Sequence, residues 1–190
     1  ANKEILKIIS KKGLGADVVS QGEMERALES GINPKKIVFS GVGKKHDEIK
    51  FAIKKNILLI NAESINEIKE IERIAKSKKK RIKVGIRLNP DTDAKTLSLI
   101  STGKKENKFG VNNNQLKSIL ENYKNSKYLD FACLSVHIGS QITSHKPYEK
   151  MLKVIQKNID ATNHHFEFVD LGGGMGIKYH NKDKTLNYRK

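Results

Sequence analysis

The chain has 190 residues, enough for one domain with a sizeable core but short of the roughly 250 residues of a closed (β/α)8 barrel. Hydrophobic residues make up 37% of it and the mean hydropathy is −0.56, which leaves no apolar run near the roughly 18–20 residues that cross a bilayer. The net charge of +16 invites a nucleic-acid reading, but its arginines are only Arg26, Arg73, Arg81, Arg87 and Arg189, and its lysines lie scattered on polar helix faces, so a solvated surface is the reading we take.

Residues 3–12 place Ile5, Ile8 and Ile9 on one helical face, and Gly13 is a natural stop. Residues 16–19 read as a short buried strand. Ser20 and Glu23 then form a capping box, starting a helix that runs to Gly31. A strand follows at 36–40, a helix at 46–56 and a strand at 57–61. Ser64 and Glu67 form a second capping box, and its helix carries Ile65, Ile68, Ile71, Ile74 and Ala75 on one side. Residues 81–88 alternate Ile82, Val84, Ile86 and Leu88 as a strand does. The segment 89–111 has no clear period, and a loop of that length inside a domain is usually functional or disordered. A helix at 114–124, a strand at 130–137, a helix at 147–162 with Pro147 in its first turn, and a strand at 166–171 complete the order.

Six strands separated by helices predict a parallel sheet, either a doubly wound open sheet or part of a (β/α)8 barrel. A chain opening on a helix would hold strands two to seven of a barrel. We see no internal repeat or interdomain linker. Cys133 is the single cysteine, which excludes a disulfide framework, and residues 1–5 contain no signal-peptide core. A cytoplasmic setting is the expectation.

The residues that could carry chemistry follow strand ends, the ligand-binding edge of both architectures. Gly172, Gly173 and Gly174 come directly after an apolar strand, where glycine lets the backbone approach a ligand and cradle a phosphate. The spacing is not that of a dinucleotide fingerprint, and an empty glycine turn is the bland alternative. His137 stands at another strand end and could stack on or polarise a cofactor ring, with Ser140 placed to donate to a phosphate; a lone histidine is more often structural. Arg87 near the end of a clean strand must be paired or face a ligand, with Asp17, Asp91 or Asp93 as candidate partners. Asp17 and Ser20 flank the first strand's end, where Ser20 is sufficiently employed as a helix cap. Zinc-site spacing, a nucleophile elbow and a Walker motif are absent from the sequence.

Taken together, these stretches resemble the PLP-dependent ornithine/diaminopimelate/arginine decarboxylase family, nearest its diaminopimelate decarboxylases. The resemblance rests on 13–23 (GLGADVVSQGE), 37–44 (IVFSGVGK), 87–91 (RLNPD), 101–110 (STGKKENKFG), 137–143 (HIGSQIT) and 170–174 (DLGGG), in the family's order and over nearly the whole chain. It implies an alanine-racemase-like barrel followed by a β-domain, with pyridoxal 5'-phosphate (PLP) as cofactor. It also implies decarboxylation of meso-diaminopimelate to L-lysine by a homodimer. By the family's motifs His137 stacks on the pyridine ring, Ser140 and Gly172–Gly174 hold the phosphate with Gly174 the most direct, and Arg87 and Asp17 border the cofactor.

The departures imply a fragment, residues 1–190 forming one incomplete barrel without the β-domain. The family's Schiff-base lysine immediately precedes an Ala-Asn pair, and this chain begins at Ala1-Asn2. The catalytic lysine is therefore expected outside the chain, as is the Glu-Pro-Gly-Arg segment that completes the cofactor site. Leu97 stands where many members carry His, and Cys133 is not the family's active-site cysteine. Catalysis by this chain alone is not expected, and complementary fragments or a non-catalytic remnant remain open alternatives, a basic nucleic-acid binder less so.

Overall fold

A computed structural model describes residues 2–90, 109–181 and 186–187. The loop expected at 89–111, with Asp91, Asp93, Leu97 and most of 101–110, therefore lies largely outside the described residues.

Local signals start each helix. Asn2 caps α1 (Lys3–Lys11), its Oδ1 accepting from Glu4 N at 2.9 Å and Ile5 N at 3.3 Å. Ser20 caps α2 (Gln21–Glu29) and Ser64 caps α4 (Ile65–Ser77), as the sequence predicts. The second half of each capping box differs. Glu23 accepts from Val19 N at 2.9 Å and Glu67 from Glu63 N at 2.7 Å, one residue earlier than a capping box requires. Each carboxylate thereby pins the last residue of the loop leaving a strand. Asn56 and Asn163 take the left-handed conformation at the ends of α3 (His46–Lys55) and α6 (Lys146–Thr162), as asparagine tolerates. The reciprocal box of α5 (Asn113–Asn122), between Asn112 and Gln115, and the 3-10 turn at Pro34–Lys36 are features the sequence reading did not single out.

Six strands alternate with these helices: β1 (Ala16–Val18), β2 (Ile37–Phe39), β3 (Leu59–Ala62), β4 (Ile82–Arg87), β5 (Leu129–Ser135) and β6 (Phe168–Asp170). Every neighbouring pair is parallel and the spatial order is β1-β2-β3-β4-β5-β6. A doubly wound sheet would reverse its order about a central strand. The sheet is also rolled. Strands β3 and β6 are three intervals apart, roughly 14 Å in a flat sheet, yet Asn61 Nδ2 on β3 reaches Asp170 Oδ2 on β6 at 2.9 Å. The chain is thus a partial (β/α)8 barrel.

The two faces of the sheet differ. Val18, Ile37, Phe39, Ile60, Ile86 and Leu134 point outward into a core shared with Met24, Ile49, Ile68, Ile71, Ile74, Leu116 and Met151 of the helices. Asp17, Asn61, Arg87 and Asp170 take the alternate, concave positions. In β5 the alternation is broken by a bulge: Val84 pairs with Phe131 but Gly85 pairs with Cys133, leaving Ala132 as the extra residue. Phe131 therefore packs outward, while Cys133 and Ser135 share the concave face with Gly85 and Arg87. The apolar face predicted for α1 is only partly used: Ile9 packs on the core together with Leu6, and Ile5 and Ile8 are exposed.

Candidate functional site

The concave face ends in a layer of polar side chains at the C-terminal edge of the strands. Asn61 is at its centre. Its Nδ2 donates to Asp170 Oδ2 at 2.9 Å and Ser40 Oγ at 3.0 Å, with Ser135 Oγ at 3.4 Å. Ser135 Oγ in turn donates to Asp170 Oδ2 at 3.0 Å. Asn61 is buried, and its Oδ1 has no hydrogen-bond partner. An orphaned buried acceptor costs about 1–3 kcal/mol, so the orientation of this amide is set by the donors that Asp170 requires. Oδ1 occupies the space a side chain at position 85 would take: a Cβ on Gly85 would overlap it. Glycine at 85 and asparagine at 61 are a matched pair on adjacent strands.

Asp17 on β1 joins this layer through the Ser40 hydroxyl. Desolvation by the surrounding protein raises its carboxyl above the ordinary range; Asp170 adds to the rise, while Ser40 and Lys44 oppose it.

Arg87 is held by a partner the sequence reading did not name. Its Nη1 donates to both oxygens of the buried Glu63, at 2.9 and 3.0 Å, and its guanidinium lies 5.7 Å from the Phe109 ring centroid. The expectation of Asp17 as the partner is corrected, and Asp91 and Asp93 lie outside the described residues. Glu63 stands two positions beyond Asn61, in the strand-to-helix loop where only the cap of the next helix was legible. Behind it lies a second ion pair that the sequence also hid. Lys44 Nζ donates to Gly41 O and Asn61 O, both at 2.6 Å, and to Glu67 Oε1 at 3.0 Å, and sits over the Phe39 ring. The Lys44 side chain is 1% exposed, so all of its donors face protein. Since Glu67 also accepts from Glu63 N, the Lys44 pair fixes the loop that carries the carboxylate facing Arg87.

His137 and the glycine run come together opposite this layer. Asp170 Oδ1 accepts from Gly172 N at 2.8 Å, and Gly173 N approaches His137 Nδ1 at 3.4 Å. Gly172 and Gly174 have φ of 66° and 92°. A Cβ at 172 would stand 2.7 Å from both His137 Nδ1 and Val136 O, and one at 174 would overlap Gly139 O. Gly173 between them faces open space. Tyr148 donates its hydroxyl proton to Gly173 O at 3.1 Å, and a parallel bridge between Ile142 and Met175 ties the two loops together. Ser140 is exposed beside Gly174, its Cα 3.4 Å from where a Gly174 Cβ would lie. His137 is exposed, and desolvation followed by the Arg87 charge lowers its ring below the ordinary value, favouring the neutral imidazole.

The structure therefore brings His137, Ser140, Gly172, Gly173 and Gly174 to one loop cluster, with Arg87 and Asp17 on the concave face beside it. Cys133 is buried, and burial pushes its thiol up to about 12, so it is no nucleophile. Chemically, an open glycine turn crowded on both sides is a cradle for an anionic group, a neutral exposed imidazole offers a flat face, and Arg87 supplies a fixed cation. These features fit a planar, phosphorylated cofactor. Among the described residues no cluster of side chains suited to a metal ion is found, and no helix is long and apolar enough to cross a membrane.

Comparison with known proteins agrees with this geometry. The family model described as "Pyridoxal-dependent decarboxylase, pyridoxal binding domain" matches residues 1–190. The chain is 45% identical over 192 residues to the diaminopimelate decarboxylase of Helicobacter pylori strain J99, covering 99% of this chain and 47% of that one. The crystal structure of a Helicobacter pylori diaminopimelate decarboxylase complexed with L-lysine matches with a TM-score of 0.84 at 45% identity, over 96% of this chain and 47% of its own. That of the M. jannaschii diaminopimelate decarboxylase, in co-complex with L-lysine, gives a TM-score of 0.87 at 34% identity over 96% and 43%. The chain spans about half the length of the curated relatives it matches.

Proposed function

Because the chain belongs to the pyridoxal-dependent decarboxylase family, by its pyridoxal-binding domain, we propose that residues 1–190 are the cofactor-holding part of a diaminopimelate decarboxylase barrel. The reaction is the release of CO2 from meso-diaminopimelate to give L-lysine. The observation that carries the reading is the convergence of the crowded glycine turn, the neutral His137 and the clamped Arg87 at one strand edge. The relatives' names and their complexes with L-lysine supply the substrate.

PLP, when bound, supplies the electron sink that lets the substrate's carboxylate leave as CO2. The chain's own residues bind and orient. The Gly174 N–H and the Ser140 hydroxyl would hold the phosphate, while Gly172 N on Asp170 and Gly173 N on His137 keep the turn against the His137 loop. His137, whose ring is held below its ordinary value by desolvation and the Arg87 charge, would offer an uncharged face to the cofactor. Arg87, its guanidinium fixed in direction by two hydrogen bonds to Glu63, would border the same space. Asp17, with its raised carboxyl, borders the same space and can hold a proton at a pH where an ordinary aspartate cannot. The working enzyme, on this reading, is a homodimer in a cytoplasmic setting.

A chimera tests the assignment. Residues 1–190 replace the matching stretch of the Helicobacter pylori enzyme, to which they align at 45% identity. The expected result is release of CO2 from meso-diaminopimelate with L-lysine as product, and loss of activity on replacing His137 by Ala or Gly174 by Val. A folded chimera that binds PLP and turns over ornithine or arginine in preference would overturn the substrate assignment.

A further inference from the structure

We infer that Asn61 is a positioning residue for the phosphate cradle: it aims the Asp170 carboxylate at the Gly172 amide. The inference rests on the PLP reading above and deepens it. Asn61 comes from β3, far in sequence from the glycine turn, and its side-chain hydrogen bonds go to Ser40, Ser135 and Asp170 rather than to the turn or His137.

Asp170 has two oxygens with separate tasks. Oδ1 accepts from Gly172 N at 2.8 Å, which holds Gly172 in its left-handed conformation against the His137 loop. Oδ2 accepts from Asn61 Nδ2 at 2.9 Å and Ser135 Oγ at 3.0 Å. With Oδ2 fixed by donors from two different strands, the carboxylate plane cannot rotate and Oδ1 stays on the turn. Asn61 is itself fixed from both sides. Its second N–H goes to Ser40 Oγ at 3.0 Å, and its Oδ1 fills the space that glycine leaves at position 85. Its buried Oδ1 is left without a partner, and a flipped amide would point an oxygen at Asp170, so the donor function toward Asp170 explains the orientation. An aspartate at 61 would be nearly the same shape but would set two carboxylates against each other.

A donor–acceptor pair of this kind can be inverted, and inversion is the test. Four proteins are compared: wild type, Asn61→Asp, Asp170→Asn, and the swap Asn61→Asp with Asp170→Asn, which keeps net charge and side-chain volumes. Each is titrated with PLP and, separately, with inorganic phosphate. Protection of the Gly172 amide against hydrogen exchange is measured without ligand. Asn61→Asp should weaken PLP binding about ten-fold or more and expose the Gly172 amide, as expected for losing a charge-assisted hydrogen bond. The swap should recover most of both, because the new amide at position 170 can donate to the new carboxylate at position 61 while its own oxygen accepts from Gly172. A packing role alone would not be rescued by the swap.

Wild-type affinity and protection in a folded Asn61→Asp protein would overturn the inference. Should that variant not fold, the swap is compared with Asp170→Asn, and a swap that binds PLP no better would overturn it as well. If the wild type binds neither PLP nor phosphate, the cofactor reading fails. Gly172 protection then decides the positioning role by itself: lost in Asn61→Asp and regained in the swap supports it, unchanged across the four contradicts it.

Discussion

The convex and concave faces of this sheet are built on opposite rules. On the convex face the strands bury Ile37, Phe39, Ile60 and Ile86 against Ile49, Ile68, Ile71 and Ile74 of the helices, with no directional contact required. On the concave face, and in the loops that leave the strand ends, burial is polar. Lys44 meets Glu67, Arg87 meets Glu63, and Asn61 and Ser135 meet Asp170. The first face makes the sheet; the second fixes directions on it. Conformational freedom differs accordingly: the convex side tolerates any good apolar packing, whereas each concave pair leaves a charge or a donor stranded when one member is lost.

That contrast sets the order of effects expected from substitution. Lys44→Met should be the most damaging, about 3–5 kcal/mol by chemical denaturation, because Glu67 and two carbonyls lose the buried cation they share. The double change Lys44→Met with Glu67→Met should recover a large part of that stability while still weakening PLP binding, since Glu63 loses its tether. Full recovery of both would mean that the polar layer serves stability alone. Ile71→Ala, fully buried on the convex side, should cost about 2–5 kcal/mol and leave PLP affinity per folded molecule unchanged. Gly85→Ala lies where the two rules meet. Its Cβ would strike Asn61 Oδ1, so a loss of about 1–3 kcal/mol should come with weaker PLP binding. At the small end, Ile8→Lys on the exposed face of α1 should change stability by no more than about 0.5 kcal/mol.

Acidity sharpens the comparison further. The His137 ring is harder to protonate in the folded chain than its ordinary value of 6.5, so the unfolded chain binds more protons as the pH falls below that value. Stability should therefore drop from pH 6.5 down to the lower folded value, and PLP binding should weaken with it. His137→Gln should remove that slope in thermal melts taken across the window. Asp17 works the other way. Its raised carboxyl favours folding at acid pH, and that contribution fades as the pH rises from 3.8 through the folded value.

The same contrast explains what could be read from the sequence. Apolar periodicity is local, so the six strands, the intervening helices and the capping serines were legible, as was the parallel order. Chemistry announced by unusual local composition was legible too: the glycine run, a histidine at a strand end, and an arginine where a strand should be apolar. Polar pairing across strands was not. Asn61 reaches Asp170 only because the sheet rolls, and Ser135 joins them because β5 bulges at Ala132, and neither curvature nor a bulge has a signature in one strand's residues; Glu63 and Lys44 meet partners on neighbouring elements that only the folded sheet brings together. The capping boxes depart from expectation for a related reason: Glu23 and Glu67 accept from Val19 N and Glu63 N and so tie down the loops before their helices.

The central claim, that this half-barrel edge holds PLP through its glycine turn, is tested most directly by following backbone amides during a PLP titration. Chemical shifts of Gly172, Gly173, Gly174 and Ser140, and the ring signals of His137, should move together and saturate, with inorganic phosphate moving the glycine and serine amides alone. Shifts scattered over the lysine-rich outer helix faces, with the Gly172–Gly174 amides unmoved at saturating PLP, would contradict it.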